Sequence, residues 1–515
     1  MVGMLSAESA NDPKADMPRP ACDPLLTFAP VKADVLALSF ANVTSLDTSH
    51  RRRRVLRVAQ QPGEGAMKTE SHQSRAALMR GFFVGVRRGD VPAPMNGSAA
   101  LFLCTLLGAC ASLDGYGSDH TPVGSDGGFS AQRLAALTRM VQADIDAKRI
   151  PGAVLLAARN GKVAYDRALG ARNPKTGAPM TEDSIFRIYS MSKPIVSVGA
   201  MMLMEDGKLT LDAPVSQYLP ELKGLKVGVE KIGGNGKPTL ELVPVKDEMT
   251  VLDLLRHTSG FIYEHKMFGD TLLGREYRMA GVTDKDIVST DDLVKKLAHL
   301  PLAYQPGTTW EYGRSYDVLG ALIERISGKP LDVYLSERIL EPLKMDDTGF
   351  WVEPGKQDRL AEAFELGPDD KQPIRWLSVR SKPSFLSGGA GMVSTARDYL
   401  RFAQMLLNGG QLDGVRILSR KTVEYMTSDH FNGIPGPTFS WLVGPGYSYG
   451  LGFEVRTASG MAPTPGSVGD YGWYGYAGTA FWVDPRERLV AICMVQAPGQ
   501  NTCGLFANML EAAME

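Results

Sequence analysis

The chain has 515 residues, 44% hydrophobic and 22% charged, with a formal net charge of −1. That composition is globular and long enough for a large core or two, and its charge balance argues against nucleic acid as the main partner. The five cysteines (Cys22, Cys104, Cys110, Cys493, Cys503) show neither metal-ligand spacing nor an evident disulfide framework, and no metal or cofactor is implied. Cys493 lies in an apolar, strand-like run and reads as a core thiol.

Residues 1–94 mix Pro, Ala, Asp and Arg with weak periodicity and read as disordered, or as an extension of the reading frame. The run Arg51–Arg54 reads as a solvated charge cluster. Residues 95–112 hold an apolar core, about Ala99 to Ala109, too short to span a bilayer but fitting a secretory leader. Leu107-Gly108-Ala109-Cys110 resembles a bacterial lipoprotein box, with Arg80, Arg87 and Arg88 as its basic flank. Translation from Met79 or Met95 would make this a leader and Cys110 a lipidated membrane attachment. The protein would then be periplasmic or lipid-anchored, and otherwise cytoplasmic. N-terminal sequencing of the protein from its native host checks that reading. A Gly/Ser/Asp linker (113–129) follows.

Ordered chain is expected from residue 130. Leu134, Leu137, Val141 and Ile145 have helical spacing over 130–148. Gly152 to Ala158 and Lys162 to Leu169 read as strands joined by an Asn160-Gly161 turn. An apolar helix then runs from about Ser190 to Gly207. Residues 211–383 read as a mainly helical insert, with helices near 251–257, 290–300, 316–326 and 331–339. Thr250 is a cap-like start for the first of these. Helices at 395–407 and 420–427, a strand at 449–456, a hairpin around Asp484-Pro485-Arg486 and a helix over 503–514 complete the chain. Residues 130–210 and 384–515 thus form an α/β (α+β) unit: an antiparallel sheet built from both chain ends and flanked by helices.

The chemistry centres on Ser190-Met191-Ser192-Lys193-Pro194. A proline fits a helix only in its first turn, so the apolar helix begins close to Ser190. Lys193 then lies one turn on, on the same face. A serine hydroxyl needs a base to become a nucleophile, and burial lowers the pKa of a lysine enough for it to serve. The Ser190 backbone N–H could serve as an oxyanion donor. Alone, the tetrad is weak, because roughly one or two chance matches are expected in a chain this long; the bland alternative is a capping serine followed by a surface lysine.

Two later stretches add the remaining parts. Tyr312 lies in a Gly-containing loop just before a helix, where a side chain can project into a cleft. Beside a lysine ammonium it would ionise below its usual range; as a packing aromatic it would do nothing. Tyr471 to Thr479 alternates glycines with aromatics, as an edge strand that admits a substrate to its backbone would. The Tyr476 N–H could face that of Ser190. His257 invites a Ser-His-Asp triad, but a helix-end histidine holding a turn by hydrogen bonds is the simpler reading. No Gly-x-Ser-x-Gly elbow is present.

With three elements in this order, the chain resembles the serine β-lactamase and penicillin-binding superfamily, and most closely the class C-related family VIII carboxylesterases. The resemblance runs from about Ser130 to the C-terminus through FRIYSMSKPI (186–195), LLRHTSGF (254–261), PGTTWEYGRSYDVLG (306–320), SGGAGMVSTARDYLRFAQMLLNGG (387–410) and YGWYGYAGTAFWVDP (471–485). It implies a β-lactamase-like fold. It also implies Ser190 as acylated nucleophile, Lys193 as its base, Tyr312 as proton shuttle and the Ser190 and Tyr476 N–H groups as oxyanion hole. Class C lactamases carry Ser-Asn where Gly313-Arg314 follows Tyr312, which leaves the asparagine's amide-positioning role unassigned. Trp473-Tyr474-Gly475 replaces their Lys-Thr-Gly, so the substrate-binding strand lacks the cation that anchors a β-lactam carboxylate. The expected activity is hydrolysis of small, short-acyl carboxylic esters. A β-lactamase, a D-amino-acid peptidase or acyltransferase, and a non-catalytic ligand-binding homologue are the alternatives.

Overall fold

The computed structural model describes residues 127–264, 271–365, 376–431, 433–436 and 438–515. The segment expected to be a leader, with Cys110, the Arg51–Arg54 run and the region expected to be disordered lie outside the described residues. Helix α1 (Ala131–Asp146) leads into the hairpin β1 (Gly152–Arg159) and β2 (Lys162–Asn173), with the short β3 (Ala178–Pro179) beside it. Strand β4 (Phe186–Arg187) delivers the chain to a 3-10 turn, Tyr189–Met191, and to α2 (Ser192–Glu205). Next come the ribbon β5 (Lys226–Ile232) and β6 (Pro238–Pro244), then α3 (Val251–Leu255), α4 (Leu272–Met279), α5 (Thr290–Leu297), α6 (Ser315–Ser327) and α7 (Leu331–Leu335). They are followed by β7 (Val393–Ser394), α8 (Ala396–Leu407), β8 (Gln411–Leu412), β9 (Val415–Arg416), α9 (Arg420–Met426) and α10 (Phe439–Leu442). Strands β10 (Tyr447–Tyr449), β11 (Glu454–Arg456), β12 (Tyr471–Tyr474), β13 (Ala480–Asp484) and β14 (Leu489–Val495) precede the final helix α11 (Thr502–Ala513).

Eight antiparallel strands form the main sheet in the order β10-β11-β12-β13-β14-β1-β2-β3, so the two chain ends meet at β14 and β1. The β1–β2 hairpin turns at Asn160 (φ 54) and Gly161 (φ 76), the left-handed pair that a two-residue turn needs between twisted strands. Strand β1 is buried on both faces. Val154 and Leu156 face the core that contains α2 and α8, while Ala153, Leu155 and Ala157 face a second core under α1 and α11. Fully burying each Val or Leu is worth about 1.5–3 kcal/mol, which makes this strand the spine of both layers.

Helix α2 has no solvent-facing stripe: every residue from Ser192 to Leu203 is buried. Pro194 sits in its first turn, and Gly207 (φ 69) closes it in the left-handed conformation usual after a helix end. Thr250 and Asp253 form a reciprocal capping box at the start of α3.

Three local readings change. The middle segment is not purely helical: β5 and β6 form a ribbon around Gly233-Gly234-Asn235-Gly236. The single strand expected over 449–456 is a tight hairpin, because Gly452 (φ 96) reverses the chain and Gly450 N–H bonds back to Phe453 O at 2.8 Å. Cys493 is not a free core thiol but pairs with Cys503, with Cα atoms 5.7 Å apart. A reversal after β14 brings the first turn of α11 back against the strand end, and no cysteine spacing signals such a reversal.

Candidate active site

The Ser190 turn is held from several sides. Ile188 N–H bonds to Met392 O at 3.0 Å, and the Ser192 hydroxyl donates to Tyr189 O at 2.6 Å while accepting from Met392 N at 3.1 Å. Tyr189 adopts φ 44, a region costly for a residue with a Cβ and therefore kept only where the surroundings enforce it. Ser190, half-buried, follows at once, and Lys193 stands one helical turn further on.

Lys193 is completely buried. Its Nζ donates to Ser190 Oγ at 3.2 Å, to Gly389 O at 2.8 Å and to Tyr263 Oη at 3.4 Å. The ring of Tyr312 lies 4.4 Å from Nζ to its centroid. Burial, the dominant cause, pulls the Lys193 pKa down to about 7; Arg314 pushes it the same way, while Asp317 and Asp284 oppose. A substantial fraction of this amine is therefore neutral at physiological pH, as a general base must be.

Tyr312 is only 5% exposed and lies in the loop before α6. Gly313 permits that loop, because a Cβ there would come within 2.2 Å of Phe261 O. The expectation that Tyr312 ionises easily fails. Burial raises its pKa above the ordinary value, and hydrogen bonding from Ser190 and Trp473 only partly offsets this.

Strand β12 carries the third element. A Cβ on Gly475 would lie 2.3 Å from Ile188 O, so only glycine lets this strand end rest on the Ser190 turn. Tyr476 follows, with its ring 5.5 Å from that of Tyr189 in an edge-on contact. Tyr189 also meets Trp376, with ring centroids 6.3 Å apart, and accepts a 3.1 Å bond from Leu377 N. Trp473 is buried behind Tyr312, 5.9 Å between ring centroids, and stacks on Tyr474 at 4.9 Å. The Tyr474 hydroxyl donates to Leu442 O.

His257 is fully buried with its ring 4.6 Å from that of Tyr312. Among the described residues neither ring nitrogen has a hydrogen-bond partner. Burial first, and Lys193 second, hold its pKa well below the usual imidazole range. The side chain therefore packs rather than pinning the turn. The turn is made by the backbone, at φ 59, with the carbonyl accepting from Glu311 N at 2.9 Å.

Tyr263 and Gly389, both within reach of Lys193, are absent from the sequence reading. Gly389 lies within the 387–410 stretch that carries the resemblance and Tyr263 two residues past the 254–261 stretch, but neither pattern shows that its residue approaches Lys193. Among the described residues no group of His, Cys, Asp and Glu is arranged to hold a metal ion, and no helix is long and apolar enough to cross a membrane.

The Beta-lactamase family model matches residues 137–514. Esterase EstB of Burkholderia gladioli is 30% identical over 418 residues, 77% of this chain and 98% of that protein. Among solved structures, EstCE1, described as a hydrolase with promiscuous acyltransferase activity, is 27% identical with a TM-score of 0.62, covering 74% of this chain and 98% of that one. Simvastatin synthase (LovD) of Aspergillus terreus is 25% identical, also with a TM-score of 0.62, covering 75% of this chain and 98% of that one. The chain belongs to the beta-lactamase family, in the superfamily of serine β-lactamases and penicillin-binding proteins, and is a serine hydrolase of the family VIII esterase type.

Proposed function

We propose that this protein hydrolyses short-acyl carboxylic esters through an acyl-enzyme on Ser190. The observation that carries this reading is the buried Lys193 amine, 3.2 Å from Ser190 Oγ with its pKa near 7. Neutral Lys193 takes the Ser190 proton as Oγ attacks the ester carbonyl. The Ser190 and Tyr476 N–H groups receive the developing oxyanion. Tyr312, neutral at working pH, passes a proton to the departing alkoxide and recovers one from Lys193. Water then attacks the acyl-enzyme and releases the acid.

An indole at Trp473 in place of a cation favours uncharged esters over β-lactams. Similarity to EstB, named an esterase, supports the same substrate class. Acyl transfer is the second reading, favoured by similarity to EstCE1 and LovD; an alcohol would then replace water in deacylation.

The test is initial hydrolysis of p-nitrophenyl butyrate by the wild type and by Ser190→Ala. A loss of roughly a thousandfold or more is expected for removal of a nucleophile. Equal rates would remove Ser190, and with it the roles assigned around it. Formation of a butyrate ester when an alcohol is added separates transfer from hydrolysis.

A further inference from the structure

Arg314 stands two residues after Tyr312, where the class C pattern has its asparagine, and it does not face the substrate side of the site. It is 1% exposed and turned into the protein. Its Nη2 donates to both Glu264 carboxylate oxygens, at 2.8 and 2.9 Å. Its Nη1 donates to Asp284 at 2.6 Å and to Asp317 Oδ2 at 3.1 Å. The guanidinium also lies 5.0 Å from the centroid of the Tyr263 ring. With its donors committed in this way, the fork cannot orient a substrate.

Asp317, also 1% exposed, continues the network. Its Oδ1 accepts from Ser387 Oγ at 2.6 Å and from Gly389 N at 3.1 Å. The carbonyl of that same Gly389 accepts from Lys193 Nζ at 2.8 Å. Gly388-Gly389 has no side chain to hold its own conformation, so this carbonyl is aimed by Asp317. Arg314 in turn fixes Asp317 on one side and the Tyr263 ring on the other, and Tyr263 Oη is the second neighbour of Lys193, at 3.4 Å. Burying so many charges is costly unless the geometry they impose is needed.

We propose that Arg314 and Asp317 are positioning residues for Lys193, acting through the Gly389 carbonyl and the Tyr263 ring rather than on the substrate. The activity consequence rests on the ester-hydrolase reading; the placement of Lys193 does not. The groups facing Lys193 are Ser190 on the turn before α2, His257 after α3, Tyr263, Tyr312 and Arg314 before α6, Tyr316 and Asp317 on α6, and Asp284. Of these, Asp317 and Asp284 favour its charged form, while Arg314 and burial oppose it.

The test titrates Lys193 directly, by NMR of protein carrying 13Cε-lysine, with Lys193→Arg assigning the resonance. The wild-type midpoint is expected at about 7. Asp317→Asn should lower it and Arg314→Gln should raise it, by roughly one pH unit each, and the acid limb of kcat/KM for p-nitrophenyl butyrate should move with it. Loss of either charge moves the midpoint through space, so positioning is read from kcat: a merely structural role would lower the melting temperature and leave kcat at saturating pH in place. Folded variants with wild-type midpoints and wild-type kcat overturn the proposal. If Arg314→Gln does not fold, Arg314→Lys replaces it, keeping the charge and losing the fork. The midpoint should then stay and kcat fall about tenfold, as misplacement of a base would cause; unchanged kcat overturns the proposal. Persistent activity in Ser190→Ala would refute the Ser190 acyl-enzyme of the proposed function, yet the Lys193 titration would still decide this one.

Discussion

Lys193→Met should make the protein inactive and, at mildly acidic pH, more stable. The lysine pKa falls from its ordinary 10.5 to about 7 in the fold, and each unit corresponds to about 1.4 kcal/mol, so burial of the ammonium costs several kcal/mol. Below pH 7 the amine is charged in both folded and unfolded chains, and the folded state bears the whole cost. Between about 7 and 10.5 the unfolded chain binds the extra proton, so this group makes stability rise with pH across that window. Methionine removes the charge at similar length but strands the Gly389 carbonyl, whose 2.8 Å bond is worth about 1–2 kcal/mol. A net gain of roughly 1–3 kcal/mol remains at pH 6, several degrees in Tm for a domain of ordinary size. Urea unfolding of both proteins at pH 6 and pH 9 measures it, and the difference should shrink toward pH 9. A variant less stable than the wild type at pH 6, with the same pH slope, would mean that the ammonium is a net stabiliser, and would refute the depressed pKa on which its role as base depends.

Tyr312→Phe should slow esters of poorly acidic alcohols by about a hundredfold or more, as loss of a general acid does, and p-nitrophenyl esters much less, because p-nitrophenolate leaves without a proton. Steady-state rates on the two ester types check this; equal losses would count against a proton-donor role. Gly475→Ala should cost about 1–3 kcal/mol of stability through overpacking, because the new Cβ would meet Ile188 O at 2.3 Å, and should disable acylation by displacing the Ser190 turn. Thermal melts and active-serine labelling with a fluorophosphonate read the two effects separately. Reduction of Cys493–Cys503, ten residues apart, should lower stability by about 2–3 kcal/mol with kcat unchanged, since α11 lies on the sheet face away from Ser190.

Local physics was legible in the sequence where one residue type has one structural use. Pro194 marked the start of α2, Asn160-Gly161 the first hairpin, and Thr250 the cap of α3. The motif resemblance identified Ser190, Lys193 and Tyr312, and the fold brings Ser190 and the Tyr312 ring to the Lys193 amine. What was missed depends on approach in space. Tyr263 and Gly389 reach Lys193 from 70 and 196 residues away; they lie in or beside stretches that carry the resemblance, yet nothing in those stretches says that they meet the lysine. Nor does the sequence say which way Arg314 points, because an arginine beside a cleft and one locked among three carboxylates read alike. The ribbon β5–β6 did carry a signal, Gly233-Gly234-Asn235-Gly236 between alternating apolar residues, which the helical reading of that segment overrode.

The most direct measurement of the central claim is mass spectrometry of the protein quenched in acid during turnover of a short-acyl ester, followed by peptide mapping. The expected result is one acyl group on the peptide that contains Ser190, absent from Ser190→Ala. An acyl group on any other residue, or ester turnover with no Ser190 adduct under conditions that trap one from a known acyl-enzyme, would contradict the assignment of Ser190 as nucleophile.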